Sequence, residues 1–575
     1  TRSSTQSASA SGTSSEYRGT ERRSVPFFVG GCAIIAARFP PSDTVNSPLI
    51  LPANLALPAP GKSAEWGRLI GASLALAAAE LARSVERPLL VLAEDAKHAD
   101  QLEAEIRFFA GSDRAVEHFV EWETLPWDTF SPHQDIISQR LRVLAGLPGM
   151  RRGIVIAAAT ALQQRLPPVA YVAARSLSLR QGEEVPREAF TESLVAAGYV
   201  RVPQVSEHGE FAVRGSLIDV FPMGTDRPVR IDFFDDEIES LREFSPESQL
   251  SGERFASVDI LPAREVPLDA DSIRRFRDRY RERFEGQPSK SRVYREVSDG
   301  IAHGGIEYYL PLFFDSTATL LDYLPPECGI VAPTGLEALL ETFEAEARER
   351  YELCSLDRER PVLSVEETFV CAGDVDLSHA PLLRYSSQTL ADGAFNADTR
   401  MPPAMKIETR YEDAAASLVQ FLDGFDGRVL FSTDSPGRRE QLHDMLSGRG
   451  LDLARSASWD AFLEDTHRIG VAVAPLENGV LLPAAKIALV SEQQLFGERT
   501  RARKRRRRSD RDPETIIRQL NDLEPGSPVV HEEHGIGRYL GLTTLEAGGI
   551  VAEFLHLEYA DGDKLYVPVH ALDLI

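Results

Sequence analysis

The 575-residue sequence is poor in cysteine and has no long hydrophobic run. Its four cysteines, at positions 32, 328, 354 and 371, are far apart and form no Cys-x-x-Cys pair. This spacing excludes a disulfide-stapled secreted domain and predicts reduced thiols in a cytoplasmic protein. No apolar stretch approaches the ~18 residues that would span a membrane, so we expect no membrane association. The stretch Val25 to Ala37 is a poor signal sequence, because Cys32 lies inside its apolar run.

Basic residues are scarce as well. Lys and Arg number 63 against 88 Asp and Glu, which gives a net charge of −25. Non-specific binding to phosphate backbones depends on Lys and Arg, so an acidic chain is better suited to contacts with other proteins. The exception is segment 499–511, which carries nine basic residues and one acid. We interpret this basic segment as a solvated linker, with nucleic-acid binding as the alternative.

Hydrophobic patterning predicts a multidomain α/β protein. Runs such as Pro88 to Ala93 and Gly153 to Ala159 lack polar alternation and are separated by helical stretches, for example Trp66 to Arg83. This pattern is typical of a parallel sheet covered on both faces. Alternating strands between 171 and 265 predict an α+β insertion. Five short strands after 525 predict a small SH3- or Tudor-like β barrel.

We therefore predict seven segments. In chain order they are a disordered N-terminal extension (1–54), a parallel-sheet domain (55–170 with 266–375), its insertion (171–265), a linker (376–404), a small α/β domain (405–498), a basic linker with a short helix (499–524) and the C-terminal barrel (525–575).

Three short motifs suggest chemistry, and each has a simpler explanation. Gly61-Lys62-Ser63 resembles the end of a P-loop, but Ala56 stands where that loop needs its first glycine. The acids from Asp232 to Glu237 resemble a Mg²⁺-binding motif without a P-loop partner, and a hairpin turn explains them. His531 and His534 are three residues apart, whereas a zinc-binding helix places two histidines four apart. The sequence therefore predicts no catalytic, cofactor-binding or metal-binding residue in this chain.

One strand shows a candidate protein contact. Along Val229 to Phe234, Ile231 and Phe233 alternate with Arg230 and Phe234. If the first pair faces the core, the second pair shares the outer face, and an arginine beside an exposed aromatic is typical of an interface hot spot. A Phe234 covered by a neighbouring loop fits the same periodicity.

Five segments together resemble the bacterial transcription-repair coupling factors, in the family's order and spacing. They are 121–141 (EWETLPWDTFSPHQDIISQRL), 206–224 (SEHGEFAVRGSLIDVFPMG), 230–244 (RIDFFDDEIESLREF), 305–314 (GIEYYLPLFF) and 526–571. The resemblance covers about 55 to 575. It implies that 55–375 is a degenerate helicase-like unit, similar to the excinuclease protein UvrB, that has lost its P-loop.

The resemblance also implies two docking sites. The insertion would bind the excinuclease protein UvrA through Arg214, Arg230 and Phe234. The C-terminal module, of CarD type, would bind the RNA polymerase β subunit through Leu545. The expected function is transcription-coupled DNA repair, in which the protein binds stalled RNA polymerase and recruits UvrA to the lesion. The alternative is a DNA-binding helicase-like repair protein of the UvrB type.

The resemblance further implies a motor C-terminal to this module, beyond Ile575. That motor would be an ATP-dependent translocase on double-stranded DNA that uses ATP and Mg²⁺ and displaces RNA polymerase. No cofactor is expected in the present chain. Whether the chain is itself an enzyme stays open, because an active ATPase within 55–375 is the rival hypothesis.

Overall fold

The computed structural model describes two stretches of the chain. They are residues 49–497, apart from 53–56, 113, 247 and 408–415, and residues 526–568, apart from 527, 532–534, 548, 549 and 560–562. The chain divides into two compact units, the first ending at Gly497 and the second beginning at Glu498. Most of the predicted N-terminal extension and the whole basic segment lie outside the described residues.

The described residues form twenty-four strands and fourteen α-helices. The strands are β1 (Ser63–Gly67), β2 (Pro88–Ala93), β3 (Val116–Phe119), β4 (Gly153–Ala158), β5 (Leu177–Arg180), β6 (Val200–Arg201), β7 (Glu210–Arg214), β8 (Leu217–Val220), β9 (Val229–Phe234), β10 (Glu237–Phe244), β11 (Ser251–Phe255), β12 (Ser257–Ile260), β13 (Gly329–Pro333), β14 (Leu382–Tyr385), β15 (Phe395–Asn396), β16 (Arg428–Thr433), β17 (Leu453–Ser456), β18 (Ile469–Val473), β19 (Val480–Leu482), β20 (Ile487–Ser491), β21 (Pro528–His531), β22 (Gly535–Ala547), β23 (Ile550–Glu558) and β24 (Lys564–Pro568). The helices are α1 (Ser73–Ser84), α2 (Ala96–Ala110), α3 (Gln134–Gly146), α4 (Val169–Arg175), α5 (Arg187–Ala196), α6 (Ala270–Arg283), α7 (Arg292–Ser298), α8 (Leu320–Tyr323), α9 (Leu336–Cys354), α10 (Val365–Thr368), α11 (Ala416–Gly424), α12 (Pro436–Ser447), α13 (Trp459–Glu464) and α14 (Glu492–Phe496). Within these ranges no helix has the length and apolarity to cross a membrane.

A seven-stranded parallel sheet, in the order β15-β1-β14-β13-β2-β4-β3, organises the first part of the chain. Its strands β2 and β4 are buried along their whole length. Alternate side chains of these strands belong to two hydrophobic cores, one on each face of the sheet. Leu89 and Ile154 lie in the core that contains α1 and α2, whereas Leu90 and Val155 lie in the opposite core. Because both faces are covered, these strands carry no polar alternation, as the sequence predicts.

The predicted linker 376–404 is instead part of this sheet. Strand β14 lies between β13 and β1, and β15 pairs with the outer side of β1. The four residues of β14 carry too little local pattern to mark a strand, and they are buried by partners distant in sequence. The predicted helix from Trp66 also needs correction, because Trp66 belongs to β1 and α1 begins at Ser73.

The insertion forms a six-stranded sheet in the order β11-β10-β9-β8-β7-β6, antiparallel except for the β6–β7 pair. Strands β5 and β12 make a separate antiparallel pair. Inner-face side chains such as Phe211, Ile231 and Leu241 join the same core as Leu90 and Val155 of the parallel sheet. The insertion therefore shares a core with the domain that carries it.

A buried ion pair reinforces this connection. Arg140 of α3 and Glu265, which follows the last strand of the insertion, have no exposed side-chain surface, and Arg140 Nε lies 2.6 Å from Glu265 Oε1. Arg140 also donates to the carbonyl of Val120 and lies over the rings of Phe119 and Trp122. The charge of each partner is compensated within the protein, as a buried charge requires.

The second, small α/β domain has a five-stranded sheet in the order β17-β18-β16-β20-β19, parallel except for β19. One side packs on its own core, which includes Val429 and Val471. The other side joins the core around α1 and α2, where the ring of Trp459 meets that of Phe109 edge-on at 5.2 Å. The two α/β domains are therefore packed together through a continuous apolar interior.

The second compact unit contains an antiparallel sheet in the order β21-β22-β23-β24. Val529, Tyr539, Leu555, Leu557 and Val567 form its core. Among the described residues β21 does not pair with β24, so a four-stranded sheet is present and the predicted closed barrel with a fifth strand is not shown. Each described strand of this sheet pairs only with the strands next to it in sequence, whereas a closed barrel also needs its first and last strands to pair.

Candidate protein-docking surfaces

Phe234 lies at the tip of the β9–β10 hairpin. It pairs with Glu237 across a turn formed by Asp235 and Asp236, and Asp235 adopts a φ of 59°. The side chain of Phe234 is 73% exposed, whereas Phe233 is buried with its ring 6.3 Å from that of Phe190 on α5. The predicted alternation is correct, and none of the loops that the structure describes covers Phe234.

The hairpin tip is held by the segment that precedes α5. The amide of Val185 donates to the carbonyl of Asp236 (2.7 Å), and the amide of Ile238 donates to the carbonyl of Glu183 (2.9 Å). The amide of Arg187 donates to the Asp236 carboxylate. A partner that contacts Phe234 therefore meets a preorganised backbone and loses little affinity to loop ordering.

Arg214 and Arg230 converge on a buried carboxylate that sequence reasoning missed, Asp219. Arg230 donates to both Asp219 oxygens, at 2.7 and 2.9 Å, and Arg214 Nη1 lies 3.9 Å from Asp219 Oδ2. Hydrogen bonding to Asp219 raises the pKa of Arg230. Only 15% of the Arg230 side chain is exposed, and its guanidinium lies over Phe244, whereas 40% of Arg214 is exposed. Arg214 is thus the more accessible cation.

Leu545 lies on β22, where its partner in the ladder is Ala552 of β23. Strand β21 pairs with β22 only over residues 535–538. Among the described strands, the part of β22 that contains Leu545 therefore pairs on one side alone. An edge of this kind can take an additional strand from a partner.

The Gly61-Lys62-Ser63 motif does not form a phosphate-binding loop. Ser63 starts β1, and the helix that follows this strand begins ten residues later. The amide of Ala72, at the start of α1, donates to the carbonyl of Asn478 in the second α/β domain (3.1 Å). A Cβ on Gly71, whose φ is 58°, would lie 2.3 Å from the carbonyl oxygen of Gly479. Backbone carbonyls therefore occupy the position where a phosphate would meet this helix N-terminus.

The structure describes one of the other two motifs in full and the other in part. Asp232 to Glu237 form the end of β9 and the hairpin turn, as the simpler explanation requires. Of the two histidines whose spacing argues against a zinc-binding helix, His531 ends β21 and His534 lies outside the described residues.

Comparison with known proteins connects these surfaces to a family. Three family models match the chain: a UvrB interaction domain over residues 177–266, the D3 domain of MFD over 421–495, and a CarD-like/TRCF RID domain over 523–575. The transcription-repair-coupling factors of Escherichia coli K12 and Haemophilus influenzae are 39% and 38% identical to the chain, over 90% and 88% of its length. That of Myxococcus xanthus is 30% identical over 88%. The chain is a homologue of the transcription-repair-coupling factors.

The resemblance expected from the sequence is thereby confirmed. The chain spans 45% of the length of each of these three relatives. Within this transcription-repair-coupling factor homologue, the UvrB interaction match includes Arg214, Arg230 and Phe234, and the RID match includes Leu545. The D3 match includes Asn478, whose carbonyl lies against α1.

One group of side chains in the described residues has a geometry that could hold a metal ion: Asp100, Glu103 and His118. His118 Nδ1 lies 2.9 Å from Glu103 and 3.6 Å from Asp100. Burial raises the pKa of Glu103, but the hydrogen bond and charge of His118, together with Arg107, outweigh it and bring the pKa to about 2. The ionised Glu103 is a sufficient partner for the buried histidine without a metal.

Proposed function

We propose that this chain is the docking part of a factor that couples transcription to DNA repair. Its C-terminal module binds stalled RNA polymerase, and its insertion recruits the excinuclease protein UvrA. The observation that carries the proposal is the exposed Phe234 on a hairpin fixed by backbone hydrogen bonds. This hairpin lies within a segment similar to a UvrB interaction domain.

The proposed contacts have distinct roles. Phe234 is the apolar anchor for UvrA, Arg214 supplies accessible charge, and Arg230 supports the surface through its pair with Asp219. In the C-terminal module, which we propose closes into a barrel, Leu545 contacts the RNA polymerase β subunit from the part of β22 that β21 does not cover. A protein with these partners acts in the cytoplasm.

ATP, Mg²⁺ and double-stranded DNA belong, in this proposal, to a translocase motor in the rest of the longer protein. An ATPase within 55–375 is the competing function. It is disfavoured because the carbonyl of Asn478 already accepts the amide of Ala72 at the start of α1. A helicase-like repair protein of the UvrB type would need the same nucleotide site.

Phe234→Ala tests recruitment of UvrA. We expect the affinity of the 575-residue chain for purified UvrA to fall at least about thirtyfold, because a central aromatic anchor contributes ~2 kcal/mol or more. Calorimetric titration measures the change. Phe130→Ala is the matched control, since Phe130 is 72% exposed but lies outside the insertion. Equal affinities of Phe234→Ala and the wild type would contradict the assignment.

Leu545→Arg tests the polymerase contact. A charged side chain in an apolar contact is desolvated without a partner, so we expect binding to the RNA polymerase β subunit to be lost in a pull-down. Retained binding to UvrA is the control for folding. Undiminished polymerase binding by this variant would refute the role of Leu545.

A further inference from the structure

Three arginines stand in register across the outer face of the insertion sheet. Arg230 of β9 is directly opposite Arg242 of β10, and Arg242 is directly opposite Arg254 of β11. Directly opposed like charges destabilise a sheet. The arginine row therefore costs some stability, which carboxylates of a binding partner would offset.

Only one member of this arginine row is neutralised among the described residues. Arg230 has the carboxylate of Asp219. Arg242 Nε donates to the neutral hydroxyl of Ser240 at 3.3 Å, and neither Arg242 nor Arg254 has a carboxylate within 4 Å in the described part of the chain. Arg254 is exposed to solvent. A partner's carboxylates could therefore reach the exposed guanidinium of Arg254 and the half-buried one of Arg242.

The row shares its face with Phe234. Arg230 and Phe234 are four positions apart along β9. Because side chains alternate between the two faces of a strand, these two point to the same side of the sheet. At about 3.3 Å per residue, Phe234 lies ~13 Å along the strand from the row, which itself extends ~10 Å across three strands. An apolar anchor and a band of positive charge therefore form one surface of a size suited to a protein contact.

The charge of the surroundings favours a protein over a nucleic acid. Residues 177–266 contain nine arginines, no lysine and eighteen acids, a net charge of −9. Asp235, Asp236 and Glu237 stand beside Phe234 at the hairpin tip. These acids would repel a phosphate backbone. A protein surface can instead place carboxylates over the arginine row and an apolar pocket over Phe234.

We propose that Arg242 and Arg254 bind an acidic patch on UvrA, next to the pocket that takes Phe234. The inference rests on the proposed function for the identity of the partner and adds two contact residues and the charge of the partner's surface. Arginine suits this role because its planar guanidinium can bind a carboxylate through two hydrogen bonds.

The test is the double variant Arg242→Gln/Arg254→Gln of the 575-residue chain, titrated with purified UvrA. We expect binding to weaken about tenfold at 50 mM salt, and the difference from wild type to shrink at 300 mM because salt screens these contacts. Arg180→Gln is the matched control, because Arg180 is exposed on the separate β5–β12 pair. The thermal midpoint of the double variant should equal or exceed that of the wild type, since a like-charge contact is removed.

The outcomes separate this inference from the proposed function. If Phe234→Ala weakens binding and the double arginine variant does not, the arginine row is not a contact and the inference fails alone. If neither weakens binding, both fail. A double variant that binds UvrA normally but loses affinity for a 20-base-pair DNA duplex would overturn the inference in favour of nucleic acid. A lowered thermal midpoint with unchanged salt dependence would assign the row a structural role and also overturn it.

Discussion

Glu307 is the ionisable residue whose environment gives the first unit a pH dependence near neutrality. Burial, with a smaller contribution from the charge of Glu265, raises its pKa, whereas the hydrogen bond from Ser131 (2.8 Å) and the charge of Arg264 lower it, and the net effect brings the pKa to about 7. The folded protein therefore holds this proton more tightly than the unfolded chain, in which the carboxyl has its ordinary pKa of 4.5.

The sign of the effect follows from proton linkage. Between pH 4.5 and 7 the folded state binds more protons than the unfolded state, so this contribution to stability is full below pH 4.5 and is lost as the pH rises through 7. We expect Glu307→Gln, which stays neutral, to lose that part of the pH dependence. Thermal midpoints of the variant and the wild type, compared at pH 5 and pH 8, measure it. A constant difference between the two proteins at both pH values would contradict the assignment.

Arg140 and Glu265 provide a second prediction for single residues. Arg140→Met leaves the fully buried Glu265 without its cation, and we expect a loss of about 3–5 kcal/mol in the free energy of unfolding. Arg140→Met/Glu265→Gln removes both charges, while the amide oxygen can still accept from the indole of Trp122, so most of the loss should be recovered. Urea denaturation measures both changes. Equal stability of the single and double variants would show that the charge of Glu265 is not the cause.

At the scale of elements, the loop that contains Asn478 and Gly479 packs against the N-terminus of α1. We expect Gly71→Ala to destabilise the first unit by about 2 kcal/mol or more, because an L-residue is strained at a φ of 58° and its Cβ would meet a backbone carbonyl that cannot move aside. The midpoint of urea denaturation measures the effect. Gly437→Ala is the control, since nothing lies within 4 Å of a Cβ there and alanine favours its helix. Equal midpoints for the two variants would contradict tight docking of the loop.

Elements with strong local patterns could be predicted from the sequence, and those defined by distant partners could not. The apolar run Pro88 to Ala93 is strand β2 with the predicted bounds. The alternation in β9 correctly separates the buried Ile231 and Phe233 from Phe234, whose exposure the pattern alone left open. Strand β14 was missed because its four residues are recognisable only between β13 and β1. The position of Asp219 beside Arg230 depends on the register of β8 against β9, which composition does not determine. The opposed arginines were missed for the same reason.

At the scale of the whole molecule, the two α/β domains of the first unit share an apolar interior around α1 and α2. Trp459 of the second domain is 1% exposed in this interior. We expect Trp459→Ala to cost about 3–5 kcal/mol in unfolding free energy and to speed amide hydrogen exchange in α2 as well as in the strands around β16. Mass-resolved hydrogen exchange measures both regions. Faster exchange confined to residues 416–497 would show that the domains open separately.

The buried pair of Arg140 and Glu265 has a consequence for chimaeric proteins. Glu265 follows the last strand of the insertion, whereas Arg140 lies outside the insertion, on α3. A graft that moves the insertion into another scaffold must therefore transplant both halves of this contact or neither. Exchange between relatives is tolerated only where donor and recipient keep the same charges at these two positions, so the boundary of the interchangeable module lies further out than its strands suggest.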